Sequence, residues 1–275
     1  MPDETARRDA IGVVHPVAGA DARIVSLVPS LTELLFALGL GPQVVGRTGF
    51  CIHPRDEVRR VPKVGGTKDV ALDKVLALKP THLVVNIDEN RRETFDVLAS
   101  AVAHVIVTHP LAPDDNLQLY RMFGAIFGRP EQAEALAARF VAARDALRDA
   151  VSAIPEQKVL YLIWRKPWYT IARSTYVSAM LALAHWRTVP AIAEPRYPTL
   201  ADDAPAWREA DRILLSTEPY AFGPKDASAL AATLAGRGCP VPVTLVDGEM
   251  TSWYGARAIA GLNYLARLRR DLPPG

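Results

Sequence analysis

Residues 23–40 confine this chain more than any other stretch. A β-branched run from Ile24 to Val28 stops at Pro29-Ser30; Leu31, Leu34, Leu35 and Leu38 then recur at helical spacing until Gly39 to Pro42 end the pattern. A strand, a short loop and a helix N-terminus in that order form the rim of an open α/β sheet. There, backbone N–H groups and a partial positive charge point into the ligand crevice. Pro29 and Ser30 are therefore the first candidates for a binding loop.

The same alternation continues along the chain. Val44-Val45-Gly46, His82 to Asn86 and His104 to Thr108 read as strands, and Val70 to Leu78 reads as a helix. Glu131 to Ala150 consists of strong helix formers without Gly or Pro, a rod of roughly 30 Å. After it the opening theme returns, with strands at Lys158 to Trp164, Asp211 to Ser216 and Val243 to Asp247. Helices are expected over Ser174 to Ala184 and from Gly255 to Arg270. The similar interval between the first two long strands of each half hints at a duplicated unit. The expectation is an α/β chain of two similar lobes with mostly parallel sheets, joined by one long helix, with a ligand cleft between lobes. Its parts are an extension over 1–21, a lobe over 22–129, a connecting helix over 130–154 and a second lobe over 155–275.

Composition narrows the function classes. With 275 residues and 49% hydrophobic content the chain can build two modest cores, while a net charge of +2 without a dense Lys/Arg run leaves no footprint for nucleic acid. Cys51 and Cys239 form neither a zinc pattern nor a disulfide framework. No run approaches the ~18 apolar residues of a membrane span. The charged N-terminus has no apolar signal core, so the sequence as written reads as cytoplasmic, and as periplasmic if the true N-terminus differs.

Several loops that follow strands carry chemistry. Phe50-Cys51-Ile52-His53-Pro54 sets a thiol and an imidazole two residues apart, so Cys51 and His53 can share one metal, or Cys51 can pack as a small hydrophobe. Gly65-Gly66-Thr67-Lys68 is either an anion cradle or a tight turn with Thr67 as cap. Asn86 and Arg91 flank a charged loop that opens a helix, with Asp88 as its alternative cap. In the second half Trp164 reads as core and Trp168, beside Pro167, as exposed; Trp168 and Tyr169 suit a conjugated ligand, with Arg173 as an anion contact. Glu218 and Tyr220 follow one strand; Glu249, Trp253 and Tyr254 follow another. His109 and the other scattered histidines read as surface or strand residues.

Three segments carry a family resemblance: Ile24 to Glu33, Val61-Pro-Lys-Val-Gly-Gly66, and Ala77 to Val85. Together they resemble the helical-backbone substrate-binding proteins of ABC importers, which carry cobalamin, ferric siderophores and haem, and are nearest the cobalamin branch. The resemblance implies a small-molecule ligand, cobalamin or another metal chelate, and an ABC permease as partner. It implies ligand contacts at Pro29, Ser30, Phe50, Trp168, Tyr169 and Arg257, and a docking acid near Asp73. Binding without bond breaking is the first reading. The alternative is an intracellular enzyme on the same scaffold, with polar cleft residues around Cys51 and His53 and Cys51 as nucleophile.

Overall fold

The structure, a computed structural model, describes residues 4–272; the outermost parts of the expected extension and second lobe, 1–3 and 273–275, lie outside it. In chain order the elements begin β1 (Ile24–Ser26), α1 (Pro29–Ala37), β2 (Val44–Arg47), α2 (Arg55–Val58), α3 (Leu72–Ala77), β3 (His82–Asn86), α4 (Arg92–Ala99), β4 (His104–Thr108), α5 (Asp115–Ile126) and α6 (Pro130–Val151). They continue with β5 (Gln157–Trp164), β6 (Trp168–Thr170), α7 (Tyr176–Leu183), β7 (Trp186–Thr188), β8 (Thr199–Leu200), α8 (Ala206–Glu209), β9 (Arg212–Ser216), α9 (Pro224–Gly236), β10 (Val243–Val246), α10 (Gly248–Ser252) and α11 (Arg257–Asp271).

Internal contacts divide the chain into two units. The first holds the chain up to Pro110, Asp114–Phe140 and Tyr254–Arg257; the second holds Leu111–Pro113, Val141–Trp253 and the chain from Ala258 onward. Helix α6 is 22 residues long and contributes its first half to one unit and its second half to the other. Leu136, Phe140, Leu147 and Val151, spaced by four or seven residues, lie on its buried stripe.

The first unit is a parallel sheet in the order β2-β1-β3-β4. The middles of its strands are apolar, as a sheet covered on both faces requires, with polar residues at the strand ends, and Val25, Leu27, Leu83 and Val85 pack with Val75 and Leu98 from the helices. The residues before β1 are folded as well. Ala10 N donates to Val107 O at 2.9 Å, and the Asp9 carboxylate accepts from Val107 N at 3.1 Å, so this segment covers the free edge of β4.

In the second unit the parallel neighbours run β7-β5-β9-β10, which repeats the first order strand for strand. Two additions distinguish it. Strand β6 folds back antiparallel on β5, and β8 pairs antiparallel with β6. Leu160, Leu162, Ile213 and Leu215 form the core with Trp207, Leu230 and Leu234. Among the described residues no helix is long and apolar enough to cross a membrane.

Candidate functional site

The first unit's rim is organised by hydrogen bonds inside it. Pro29 and Ser30 are not a loop but the buried first turn of α1, because Pro at the first helical position has its φ already set for a helix. One turn later Thr32 donates to Ser26 Oγ at 2.9 Å and approaches Cys51 Sγ at 3.1 Å; Thr48 Oγ1 lies 3.2 Å from the same sulfur. The Cys51 thiol is fully enclosed and burial pushes its pKa up. Arg47 donates to the Cys51 carbonyl at 3.0 Å and completes the clamp.

That geometry corrects two expectations. A metal ligand or nucleophile must be an accessible thiolate, and Cys51 is a sealed thiol that fixes its loop. His53 lies half-buried in the same loop, and among the described residues no group of three or more His, Cys, Asp or Glu is arranged to hold a metal. What the clamped loop presents instead is Phe50, 63% exposed. The ring lies against Gly66, whose missing Cβ would meet it at 3.4 Å.

The stretch 65–68 resolves as the tight turn. Gly65 has φ +107°, and a Cβ there would stand 2.4 Å from Asp69 O, so only glycine fits. Gly66 N donates to Asp69 O at 2.9 Å. Thr67 is no cap, since the cap position of α3 is Ala71, without a side-chain cap bond; the Thr67 carbonyl accepts from Asn90 at 3.0 Å. Lys68, exposed, reaches the Asp88 carbonyl at 2.7 Å.

Asn86 is buried at the end of β3, where its side-chain oxygen accepts from Asp88 N at 2.8 Å and its amide reaches Thr108 at 3.3 Å. Asn90, absent from the candidate set, is the main stitch. Its oxygen accepts from Asn86 N at 2.9 Å and its amide donates to the carbonyls of Leu27 and Thr67. Asp88 does not cap α4; the cap position is Arg91, which makes an exposed ion pair with Asp69 at 3.1 Å. His109, expected as surface, sits at the β4 end with Nε2 3.4 Å from Asp88.

Tyr254 and Arg257 also belong to this first unit. Tyr254 donates to Glu89 at 2.6 Å, and burial together with that carboxylate holds its phenol well above the usual pKa. Arg257 is bound bidentately to Glu33, both contacts 2.8 Å, which makes it a tether rather than a free cation. Tyr120 and Asn116 anchor Gly255 between them, at 2.8 and 2.6 Å.

In the second unit the tryptophan expectations are reversed. Trp164 is 42% exposed, edge-on to Tyr220, because β5 runs past its last parallel partner. Trp168 is packed onto the core, 5.6 Å from Trp207 and stacked at 6.2 Å over Phe222, since β6 folds back along β5. Tyr169, half-buried, pairs with Thr199 in that antiparallel ladder. Arg173 is not beside them: its Nε donates to Thr188 O at 3.3 Å, and it lines a separate hollow with Glu156 and Arg187.

The rim of β9 and β10 centres on Glu218. Its Oε1 accepts from Trp253 Nε1 at 2.7 Å and from Ser252 Oγ at 3.3 Å. Burial pushes this carboxyl's pKa up against those bonds, and Glu249 and Asp247 add to the rise. Gly248 permits the arrangement, because a Cβ would fall 2.4 Å from Glu218 Cγ. Beneath it Tyr161, its pKa pushed up to about 12 by burial, bonds Ser216 and Thr251 at 2.9 and 2.7 Å. The structure thus brings Glu218, Glu249 and Trp253 together, and Trp164 with Tyr220.

Comparison with known proteins agrees with this architecture. The family described as "Periplasmic binding protein" matches residues 24–233. The vitamin B12-binding protein of Pectobacterium carotovorum subsp. carotovorum (strain PC1) is 22% identical over 92% of this chain and 90% of its own length. Among solved structures, the periplasmic heme-binding protein RhuT from Roseiflexus sp. RS-1 in apo form is 26% identical, with a TM-score of 0.75 over 92% of this chain and 99% of that one. The periplasmic vitamin B12 binding protein BtuF of Vibrio cholerae shares the fold at a TM-score of 0.76, covering 91% of this chain and 98% of that one, at 17% identity.

Proposed function

Because this chain belongs to the periplasmic binding protein family, we propose that it captures a flat metal chelate, a corrinoid such as cobalamin or a relative such as haem, and passes it to an ABC permease. It is a small-molecule binding protein. The observation that carries the ligand class is the set of exposed large hydrophobics on the rims: Phe50 and Ile52 after β2, Ile87 after β3 and Trp164 at the end of β5. Placed at strand ends, they offer apolar contact to a conjugated ring. Relatives named for vitamin B12 and heme support the same class.

In this reading the first unit offers Phe50 as a flat apolar contact with Thr67, Lys68, Arg91 and His53 as polar ones, and the second unit offers Trp164 with Tyr169, Tyr220, Glu249 and Trp253. Ser30, Asn86, Tyr254, Arg257 and Glu218 hold the rims in shape. Catalysis at Cys51 has no support, since its thiol is enclosed and raised in pKa. The compartment we infer is the periplasm, as for the named relatives, and Asp73, exposed in the first turn of α3, is the proposed docking acid for the permease.

Absorbance titration with cyanocobalamin and with haemin tests this. One of them should bind at one equivalent, and Phe50→Ala should weaken it by about tenfold while the melting temperature holds. Failure of both chelates to bind folded protein would sink the ligand class.

A further inference from the structure

A further hollow lies beside the rim of β5. It occupies about 530 Å³ in the second unit, between α9 and the antiparallel strands β6 and β8. That volume is in the range that accepts drug-sized ligands. Its floor is Trp207, Leu200, Leu230 and Leu234 of the unit's core cluster, with Trp168 packed against them. Apart from Trp168, none of the residues assigned above to the chelate lines it.

The mouth has a particular charge pattern. Arg165 is committed to Asp226 in an ion pair and lies over the Tyr220 ring. Arg237, exposed, gives one N–H to the Asp202 carbonyl at 2.9 Å and keeps its other donors. Lys166 is exposed, and among the described residues it has no hydrogen bond or ion pair. Its backbone is held at φ +61°, a left-handed conformation that side chains other than Gly, Asn and Asp rarely adopt. Strain of that kind persists where the surroundings dictate it, and it gathers at binding sites. Against these cations stands the single uncommitted carboxylate of Asp202.

We propose that this hollow is a second binding site, for a small organic monoanion with a flat or branched apolar body. The body rests on the indoles of Trp168 and Trp207, and the carboxylate, sulfonate or phosphate meets Lys166 and Arg237 at the mouth. The site is independent of the chelate site, so each can fail without the other.

Fluorescence titration of the full chain with 8-anilinonaphthalene-1-sulfonate reads it, with the uncharged N-phenyl-1-naphthylamine as control. The expected result is one saturable site. Ala229→Trp, at an exposed α9 position facing the hollow, raises Kd by about tenfold or more by filling it. Lys166→Asn, which tolerates the backbone and removes the charge, raises Kd by about threefold. Phe50→Ala and excess cyanocobalamin or haemin leave it unchanged. If circular dichroism shows Ala229→Trp unfolded, Thr233→Trp on the same face takes its place. The proposal is overturned by absence of a saturable site, by indifference to the filling variant, by equal affinity for the uncharged probe, or by displacement on adding the chelate.

Discussion

In the first unit the loops past the strand ends are tied by amides, hydroxyls and one sealed thiol, each bonded within the unit. In the second unit, built on the same parallel strand order, the corresponding loops are held by aromatic rings and by a buried carboxyl, Glu218. The loops of the first rim are stitched by Asn86, Asn90, Thr32 and Thr48, which do not titrate at ordinary pH, with the carboxylates of Glu89 and Glu33 engaged by Tyr254 and Arg257 beside them. The second places a protonatable group at its centre. One topology can therefore be finished mainly with neutral stitches or around a carboxyl that holds its proton, and the choice lies in a few loop residues.

The largest test removes the main stitch. Asn90→Ala leaves the Leu27 and Thr67 carbonyls and Asn86 N without their partner, and should cost about 3 kcal/mol in urea unfolding. A loss below about 0.5 kcal/mol would mean that the first rim is not held by that network.

A second test sharpens where the first unit does respond to pH. His82 opens β3 at the far end of the sheet, its ring tilted against that of His104 at 4.8 Å, and burial followed by repulsion from His104 brings its pKa down to about 4. A histidine with a depressed folded pKa is proton-poor in the native state. Its contribution is complete above about pH 6.5 and is lost as pH falls toward 4, up to about 3 kcal/mol. His82→Gln should flatten the stability profile between those pH values; an unchanged slope would remove His82 from the account.

Glu218→Gln probes the second rim. The native carboxyl pKa is raised, so its favourable contribution is full below the ordinary carboxylate range and is lost as pH rises through the folded value. The amide still accepts from Trp253. Thermal melts should show a gain on the order of 1 kcal/mol at pH 7.5 and none at pH 4; the opposite ordering would refute a proton-holding role.

The smallest effect is expected of Arg91→Ala. Its pair with Asp69 is well exposed on both sides, so stability should change by less than about 0.5 kcal/mol. A larger loss would make the first rim depend on surface charge after all.

Local signals explain how far the sequence could be read. The leucine spacing of α1, the apolar strands and the unbroken α6 announce themselves within a few residues, and the two-lobed α/β class follows from their order. Helices α5 and α9 went unassigned, since their apolar faces are interrupted by polar residues. The antiparallel β6–β8 addition was also invisible, and with it the reversed roles of Trp164 and Trp168. The candidate site was legible only as a set of loops. Whether Cys51 is offered or sealed depends on Thr32, nineteen residues away, and whether Arg257 is free depends on Glu33, separated by 224 positions. Glu33 left one trace: a charge inside an otherwise apolar helix.

The antiparallel strands interrupt the second unit at two connections, after β5 and after β7, whereas the chain passes from β1 to α1 in the first unit through only Leu27 and Val28. The ribbon of β6 and β8 is thus an addition that the shared parallel order of β7-β5-β9-β10 does not require.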